Sequence, residues 1–262
     1  MQVLALKLIL TPLITGLAAW AGRRYGHTVS GLLIGLPLNA GPIALFLALE
    51  HGNHFASMSA KGILLGAISL GIFSTVYAAL STRCHWAICV AAGWFSYLAA
   101  TFLLNQFSFT IFVAFALTII SLAGLLAFFP VYKVENLKII PPRWDIPLRM
   151  IMATLFILGL TYVSSDLGPN LSGLLSTFPI FGTIFSTSTH YFYGSDACKR
   201  LLKGVILSLF SLSVFFVFIS VYIERLGIGY TFLFASLICL VIQAGLLYLR
   251  RKFKQLGFRF KH

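Results

Sequence analysis

Long runs of apolar residues, each about the length of one membrane crossing, recur along the whole chain. An α-helix needs about 20 such residues to cross a bilayer, and the strict alternation of a membrane β-barrel strand is absent from these runs. The pattern predicts an all-α integral membrane protein with about nine transmembrane helices. The predicted spans are Val3–Ala21, Gly31–Glu50, Gly62–Ser81, His85–Asn105, Phe107–Phe129, Ile146–Val163, Leu171–Tyr193, Leu201–Tyr222 and Ile228–Leu249.

The first four spans are followed, 142 positions later and without a gap, by four spans of similar sequence. Ser30-Gly31-Leu32-Leu33 returns as Ser172-Gly173-Leu174-Leu175. At the same offset, the matching residues are Pro37 and Pro179, Gly52 and Gly194, Lys61-Gly62 and Lys203-Gly204, and Arg83 and Arg225. We therefore predict a first membrane repeat (1–106), a connecting helix with a polar linker (107–145), a second repeat (146–249) and a basic tail (250–262).

Composition and charge agree with a protein embedded in a bilayer. Of the 262 residues, 59% are hydrophobic and 10% are charged, and the mean hydropathy is +0.96. A soluble domain cannot cover its surface with so few charges. The net charge of +13 does not indicate a nucleic-acid partner, because the basic residues lie in short loops and in the tail, where membrane topology places them.

The distribution of lysine and arginine predicts the orientation of the chain. With the N-terminus outside and the C-terminus cytoplasmic, only Lys7, Lys61 and Arg225 fall toward the outer side. We expect a multi-pass protein of a bacterial-type inner membrane. Four helices return the chain to its starting side and the connecting helix carries it across, so the second repeat enters the membrane from the opposite face. Inverted repeats of this kind are typical of alternating-access transporters, although a duplication retained for packing alone is the competing interpretation.

The second helix of each repeat is predicted to be broken. Its first copy contains Pro37 and Pro42 with Gly35 and Gly41 around them, and its second copy contains Pro179. Proline inside a helix removes a backbone hydrogen bond and clashes with the preceding turn. Freed backbone groups in a membrane must be buried in protein or face a polar cavity, so paired breaks point to a binding site. A simple kink without a ligand is the alternative.

Hydroxyl and amide side chains gather at both predicted breaks, and a Ser-Thr-Ser-Thr-His sequence follows the second one. These groups predict a polar path for a solute, whereas hydroxyl-to-backbone bonding within the helix is the alternative that needs no ligand. The predicted substrate-binding residues are Asn39, Gly41, Pro42, Pro179, Thr183, Ser186 and His190.

Three charged residues lie within or at the edge of the spans, where charge is costly and is functional by default. Lys7 and Arg149 occupy matching positions in the first helices of the two repeats, and Glu50 closes the second helix. We predict that they couple transport to an ion or pair with opposite charges. Lys7 and Arg149 snorkelling toward the interface, and Glu50 lying in headgroup water, are the alternatives.

Together these patterns predict a secondary transporter of a small solute, with an anionic or zwitterionic solute favoured by the cationic groups. A proton, a sodium ion or the solute's own gradient would drive it, and no other cofactor, metal or catalytic group is expected. The lipid bilayer and the solute are the expected partners, and a homodimer is compatible with this interpretation. The competing interpretations are a non-transporting membrane subunit of an export or envelope complex, and a lipid flippase or lipid-modifying enzyme using Glu50, His51 and His54.

Overall fold

The computed structural model describes residues 7–9, 11–13, 16, 37, 40–132 and 144–255. Apart from the few helical residues at the N-terminus, these residues form five helices and no strand. The helices are α1 (Ala40–Leu80), α2 (Trp86–Asn105), α3 (Ile111–Ala127), α4 (Asp145–Ser176) and α5 (Ile180–Gln255). Four of them, α1, α2, α4 and α5, are long and apolar enough to cross a membrane, whereas α3 is shorter. The predicted all-α architecture is therefore confirmed, with four helices that are long and apolar enough to span a membrane.

The three longest helices are each divided by a glycine with a left-handed backbone. Gly52, Gly168, Gly194 and Gly227 have φ between 72° and 87°, with extended ψ, a conformation that is costly for a residue carrying a Cβ. The pieces are α1a (40–51) and α1b (53–80); α4a (145–167) and α4b (169–176); and α5a (180–193), α5b (195–226) and α5c (228–255). An unbroken helix of 76 residues would be roughly 110 Å long, far more than a bilayer of about 30 Å accommodates.

Side-chain contacts show that the chain folds back at these glycines. The thiol of Cys198 donates to the carbonyl of Ser186 across Gly194, at 3.5 Å. Twelve residues of straight helix would separate the two by roughly 18 Å. Across Gly227, the Ser211 hydroxyl lies 2.9 Å from the Cys239 thiol. Across Gly168, the Ser172 hydroxyl donates to the carbonyl of Ser164 at 3.3 Å. These three glycines are therefore turns between packed helical pieces, and Gly52 has the same backbone conformation.

Helix α1 is the centre of the bundle and contacts all four other helices. Its side chains are buried around most of its circumference, as expected of a helix that is apolar on every side. Helices α2 and α3 instead present large apolar side chains to the outside, including Phe95, Phe102, Phe112 and Ile120. Exposed apolar surface of this extent is suited to lipid.

The helices α1b and α4b cross at very short distance, because glycines form the contact. A Cβ added to Gly173 would collide with the carbonyl oxygen of Ser59, and one added to Gly62 would collide with that of Asn170. Small residues that let two backbones approach are a frequent means of helix association in membranes. This crossing holds the start of α4b against the middle of the bundle.

The described residues also contain the break predicted in the second repeat. Helix α4 ends at Ser176 and α5 begins at Ile180, with Thr177, Phe178 and Pro179 between them. In the first repeat, Pro37 is not helical and α1 begins at Ala40. Most of the first predicted span, Asn39, and the side chain of Arg149 lie outside the described residues. The count of nine spans and the inverted relation of the repeats remain predictions.

Candidate functional site

An ion pair between a buried ammonium and a partly exposed carboxylate joins the N-terminal segment to the end of α1a. The Lys7 ammonium donates to the Glu50 carboxylate at 2.5 Å and to the Thr161 hydroxyl at 2.7 Å. Lys7 is 5% exposed, and its ammonium lies 5.8 Å from the centre of the Phe46 ring. The side chain of Glu50 is 26% exposed, so water reaches the carboxylate more easily than the ammonium. Lys7 therefore pairs with a carboxylate instead of extending to the membrane surface.

Hydrogen bonds extend this ion pair into α4a. The Thr161 hydroxyl donates to the carbonyl of Ile157 at 2.7 Å, while the Ser164 hydroxyl donates to the carbonyl of Thr161 at 2.7 Å. The Nε2 atom of His51 lies 2.7 Å from the Ser164 hydroxyl. Sequence reasoning missed Thr161 and Ser164. A single hydroxyl residue in an apolar span is common, and the sequence does not show that a charged residue of another helix lies beside it. We call Lys7, Glu50, His51, Thr161 and Ser164 the charged cluster.

The three polar residues predicted on α5a lie on successive turns of that helix. The indole N–H of Trp94 donates to the Thr183 hydroxyl at 2.9 Å. The Ser186 hydroxyl donates to the carbonyl of Thr183 at 3.2 Å, which is the local bonding that needs no ligand. The ring of His190 lies edge-on to that of Tyr77, with centroids 5.9 Å apart. Tyr77 and Trp94 escaped sequence reasoning because they come from other helices.

The break between α4 and α5 is enclosed by aromatic and hydroxyl side chains. The carbonyl of Leu174 accepts from the Tyr97 hydroxyl at 2.7 Å and from the Thr177 hydroxyl at 2.8 Å. The ring of Phe178 lies 5.5 Å from Trp94 and 5.3 Å from Tyr97, measured between centroids. Polar side chains inside the bundle thus provide the Leu174 carbonyl with hydrogen bonds, which lipid could not provide.

The equivalent region of the first repeat has the same first hydrogen bond. The amide of Gly41 donates to the carbonyl of Pro37 at 2.7 Å, and the amide of Thr183 donates to that of Pro179 at 2.7 Å. Gly41 and Pro42 are buried. The carbonyls of Pro37 and Pro179 therefore accept the first hydrogen bond of α1 and of α5, at positions related by the offset of 142.

The predicted residues do not form one site. Lys7 and Glu50 lie beside the Gly52 turn, whereas His190 packs against Tyr77 near the opposite end of α1b. At 1.5 Å per residue, the length of α1b between them is roughly 35 Å. Among the described residues, no three histidine, cysteine, aspartate or glutamate side chains are placed to hold a metal ion. The charged cluster at the start of α1b and the residues around His190 near its end are therefore two separate places in the bundle.

Replacing Tyr97 with phenylalanine is expected to lower the free energy of unfolding by about 0.5–1.5 kcal/mol, because it removes one of the buried donors to the Leu174 carbonyl, which keeps its bond from Thr177. Urea or SDS titration in mixed micelles measures the change. Replacing Tyr222, which is 39% exposed, with phenylalanine is the matched control and should have little effect. Equal stability of the Tyr97→Phe protein and the wild type would show that the break does not depend on this bond.

No protein-family model, curated protein or solved structure matches this chain.

Proposed function

We propose that the protein is a secondary transporter that moves a small solute across a bacterial-type inner membrane by alternating access. The observation that carries this proposal is the pair of helix starts at Pro37 and Pro179. Each proline lies outside helical structure, and its carbonyl accepts from the amide four residues later. Interrupted helices at corresponding positions of two repeats are the feature from which a transporter's binding region is best inferred.

Matching turns after the two breaks support a duplicated structural unit. Gly52 has φ 87° and ψ 172°, and Gly194 has φ 80° and ψ 179°. The packing partners are also exchanged between the repeats. A Cβ added to Gly41 would lie 4.0 Å from the Phe215 ring, and one added to Gly182, the residue before the equivalent of Gly41, would lie 3.4 Å from the Phe73 ring. Phe73 and Phe215 are themselves related by the offset of 142.

Contacts between the first helices of the repeats support an inverted arrangement. Lys7 lies near the start of the first predicted span, and it contacts Thr161 near the end of α4a. Gly16, later in the first span, lies beside Met150 near the start of α4a, and the two contacts together support an antiparallel course for these helices. The first helix of the first repeat would then start at the membrane face where α4a, the first helix of the second repeat, ends at Gly168.

Charge distribution supports the proposed orientation. Lys199 donates to the carbonyl of Val131 at 3.4 Å, and Lys203 lies 5.6 Å from the centre of the Tyr132 ring. These contacts gather cationic side chains at the face opposite the Gly52 turn. Glutamates and histidines gather at the Gly52 face, where His54 lies 2.8 Å from Glu224. A cytoplasmic position for the cationic face follows the positive-inside rule.

Alternating access requires contacts that differ between two conformations. In this conformation the charged cluster and the His54–Glu224 pair join the N-terminal segment, α1, α4a and α5b at the Gly52 face. We propose that this outer face is closed here and that separating Lys7 from Glu50 accompanies its opening. Proton or sodium coupling through Glu50 is consistent with a carboxylate that water partly reaches.

Replacing Pro179 with alanine is expected to lower solute flux about tenfold, equivalent to about 1.4 kcal/mol of activation free energy. Alanine allows α4b and α5a to join into one helix, which removes the break that the proposal requires. Candidate solutes come from a thermal-shift screen of the purified protein, and uptake into proteoliposomes with and without proton or sodium gradients measures flux.

Pro169→Ala is the matched control, since this proline follows the Gly168 turn and lies outside the break. Unchanged flux in the Pro179→Ala protein would remove the break from the mechanism. Absence of solute flux from the wild type, together with stable co-purification of another membrane protein, would favour the subunit interpretation. Transfer of labelled lipid between leaflets would favour a flippase.

A further inference from the structure

The Glu50 carboxylate lies at the end of α1a, a place that disfavours negative charge. The last turn of a helix carries a partial negative charge on its free carbonyls, which stabilises cations and destabilises anions. Glu50 is one residue from the end of α1a, which stops at the Gly52 turn. Its carboxylate accepts from the Lys7 ammonium at 2.5 Å. Lys7 therefore offsets a charge that the helix end opposes.

Lys7 also occupies the position at which a coupling cation would meet this carboxylate. Its ammonium lies between Glu50 and the Thr161 hydroxyl, which is 2.7 Å away, and the centre of the Phe46 ring is at 5.8 Å. A sodium ion bound to the same carboxylate would meet a second positive charge at close range, which is unfavourable in a partly buried place. A proton binds to a carboxylate oxygen and needs no further ligands. The geometry therefore favours a proton over sodium.

We infer that the coupling ion is a proton, that Glu50 carries it, and that protonation separates Lys7 from Glu50 and opens the Gly52 face. This inference rests on the proposed function, in which the coupling ion is either a proton or sodium. One proton from water binds to one Glu50 oxygen, the carboxylate becomes a neutral carboxyl group, and Lys7 keeps its charge.

The loss of the counter-charge supplies the reason for opening. A buried ammonium without an opposite charge is unstable, and Lys7 is 5% exposed in the closed arrangement. Lys7 must then move toward water, which separates the N-terminal segment from α1a and α4a. Because the ion pair requires an ionised carboxylate, lower pH favours the open arrangement and higher pH favours the closed one.

Two histidines at this face also titrate near neutral pH. The Nε2 atom of His51 lies 2.7 Å from the Ser164 hydroxyl of α4a, and the Nδ1 atom of His54 lies 2.8 Å from the Glu224 carboxylate of α5b. A test of Glu50 must therefore separate its protonation from that of both histidines. The other charged residues described near this face on α1b, α4a and α5b are Lys61, Asp166 and Arg225.

Opening of the Gly52 face can be measured without transport through the variant Ser164→Cys. Ser164 is 0% exposed, so the introduced thiol reacts with a membrane-impermeant maleimide only when the face opens. Peptide mass spectrometry of the full-length protein in nanodiscs gives its reaction rate relative to that of Cys84, which corrects for the effect of pH on thiol reactivity. We expect this relative rate to rise about tenfold as the pH falls, within the limit of about tenfold per pH unit for a single linked proton. The rate should be equal in sodium chloride and potassium chloride.

Substitutions in the Ser164→Cys background identify the group that carries the proton. Glu50→Gln replaces the carboxylate with a neutral side chain of the same size, so we expect fast labelling at every pH. Lys7→Met removes the pair from the other side and should have the same effect. His51→Gln and His54→Gln are the matched controls and should keep the pH dependence. Cys198, which is 0% exposed at the opposite face, stays unlabelled if opening is local and becomes labelled if a variant unfolds.

Three results would overturn the inference. They are labelling that does not depend on pH, labelling that depends on sodium, and pH dependence that survives in both Glu50→Gln and Lys7→Met but is lost in a histidine variant. Uptake of solutes from the thermal-shift screen into proteoliposomes separates the inference from the proposed function. Opening that depends on pH through Glu50, without any solute flux, would leave the proton switch standing and reject transport. Flux that follows a sodium gradient and ignores a proton gradient would reject the inference and leave transport standing.

Discussion

Replacing Glu50 with glutamine is expected to lower the free energy of unfolding by about 3 kcal/mol, because it leaves a buried ammonium without its counter-charge. Lys7 is almost fully buried and its other described hydrogen bond is to the neutral Thr161 hydroxyl. Replacing Lys7 with methionine should cost about half as much, since the remaining carboxylate is partly exposed and can be hydrated. A smaller loss of stability in Lys7→Met than in Glu50→Gln would show that the ammonium is the more deeply buried charge of the pair.

The double variant Lys7→Met/Glu50→Gln should recover most of the stability lost by Glu50→Gln, since replacing both charges of a buried pair is often close to neutral. Steric trapping in bicelles measures the free energies, and a double-mutant cycle isolates the pairwise term. His54→Gln is the matched control: its side chain in the His54–Glu224 pair is 84% exposed, so the loss should be about 0.5 kcal/mol or less. Additive losses in the cycle would show that Lys7 and Glu50 do not stabilise each other.

Replacing Gly173 with alanine is expected to lower the free energy of unfolding by about 3 kcal/mol, the upper end of the usual cost of overpacking. The added methyl group would meet the carbonyl oxygen of Ser59 and lie 2.9 Å from the Cα of Gly62. Both are backbone atoms, so no rotamer change relieves the collision and α1b and α4b must separate. Because α4b leads directly into the break, we also expect the Gly173→Ala protein to lose solute flux.

Gly159→Ala provides the matched control on the same helix. No described atom lies within 4 Å of a Cβ added there, and alanine has the higher helix propensity by about 1 kcal/mol. Stability equal to or above that of the wild type is therefore expected, measured by the same steric-trapping method. A Gly173→Ala protein as stable as Gly159→Ala would show that the close helix crossing does not exist in the membrane.

Much of the helical organisation was predictable, because apolar length and glycine placement are local properties. The predicted end at Glu50 falls beside the Gly52 turn, and the predicted end at Asn105 coincides with the end of α2. The break at Pro179 followed from the missing amide of proline. The fifth predicted span, Phe107–Phe129, was too long, since α3 runs only from Ile111 to Ala127.

The polar contacts were less predictable, because their partners come from distant parts of the chain. The sequence marked Lys7 and Glu50 as costly charges in apolar surroundings, but it did not indicate Thr161 or Ser164. Tyr77 and Trp94 looked like ordinary aromatic members of apolar spans. Their importance depends on facing α5a, and a period of 3.6 residues does not say which neighbouring helix a given side chain meets.

The sequence by itself determined that the chain is helical, that its helices are long and apolar enough for a bilayer, and that prolines and glycines interrupt them; the two related halves stay a prediction. These are consequences of hydrophobic length, of backbone geometry and of amino-acid order. Only the tertiary structure decided that Lys7 pairs with Glu50 at one face and that the ring of His190 packs against that of Tyr77 near the other. Those two outcomes depend on how helices remote in sequence cross, and close crossing is set by backbone approach at Gly62 and Gly173.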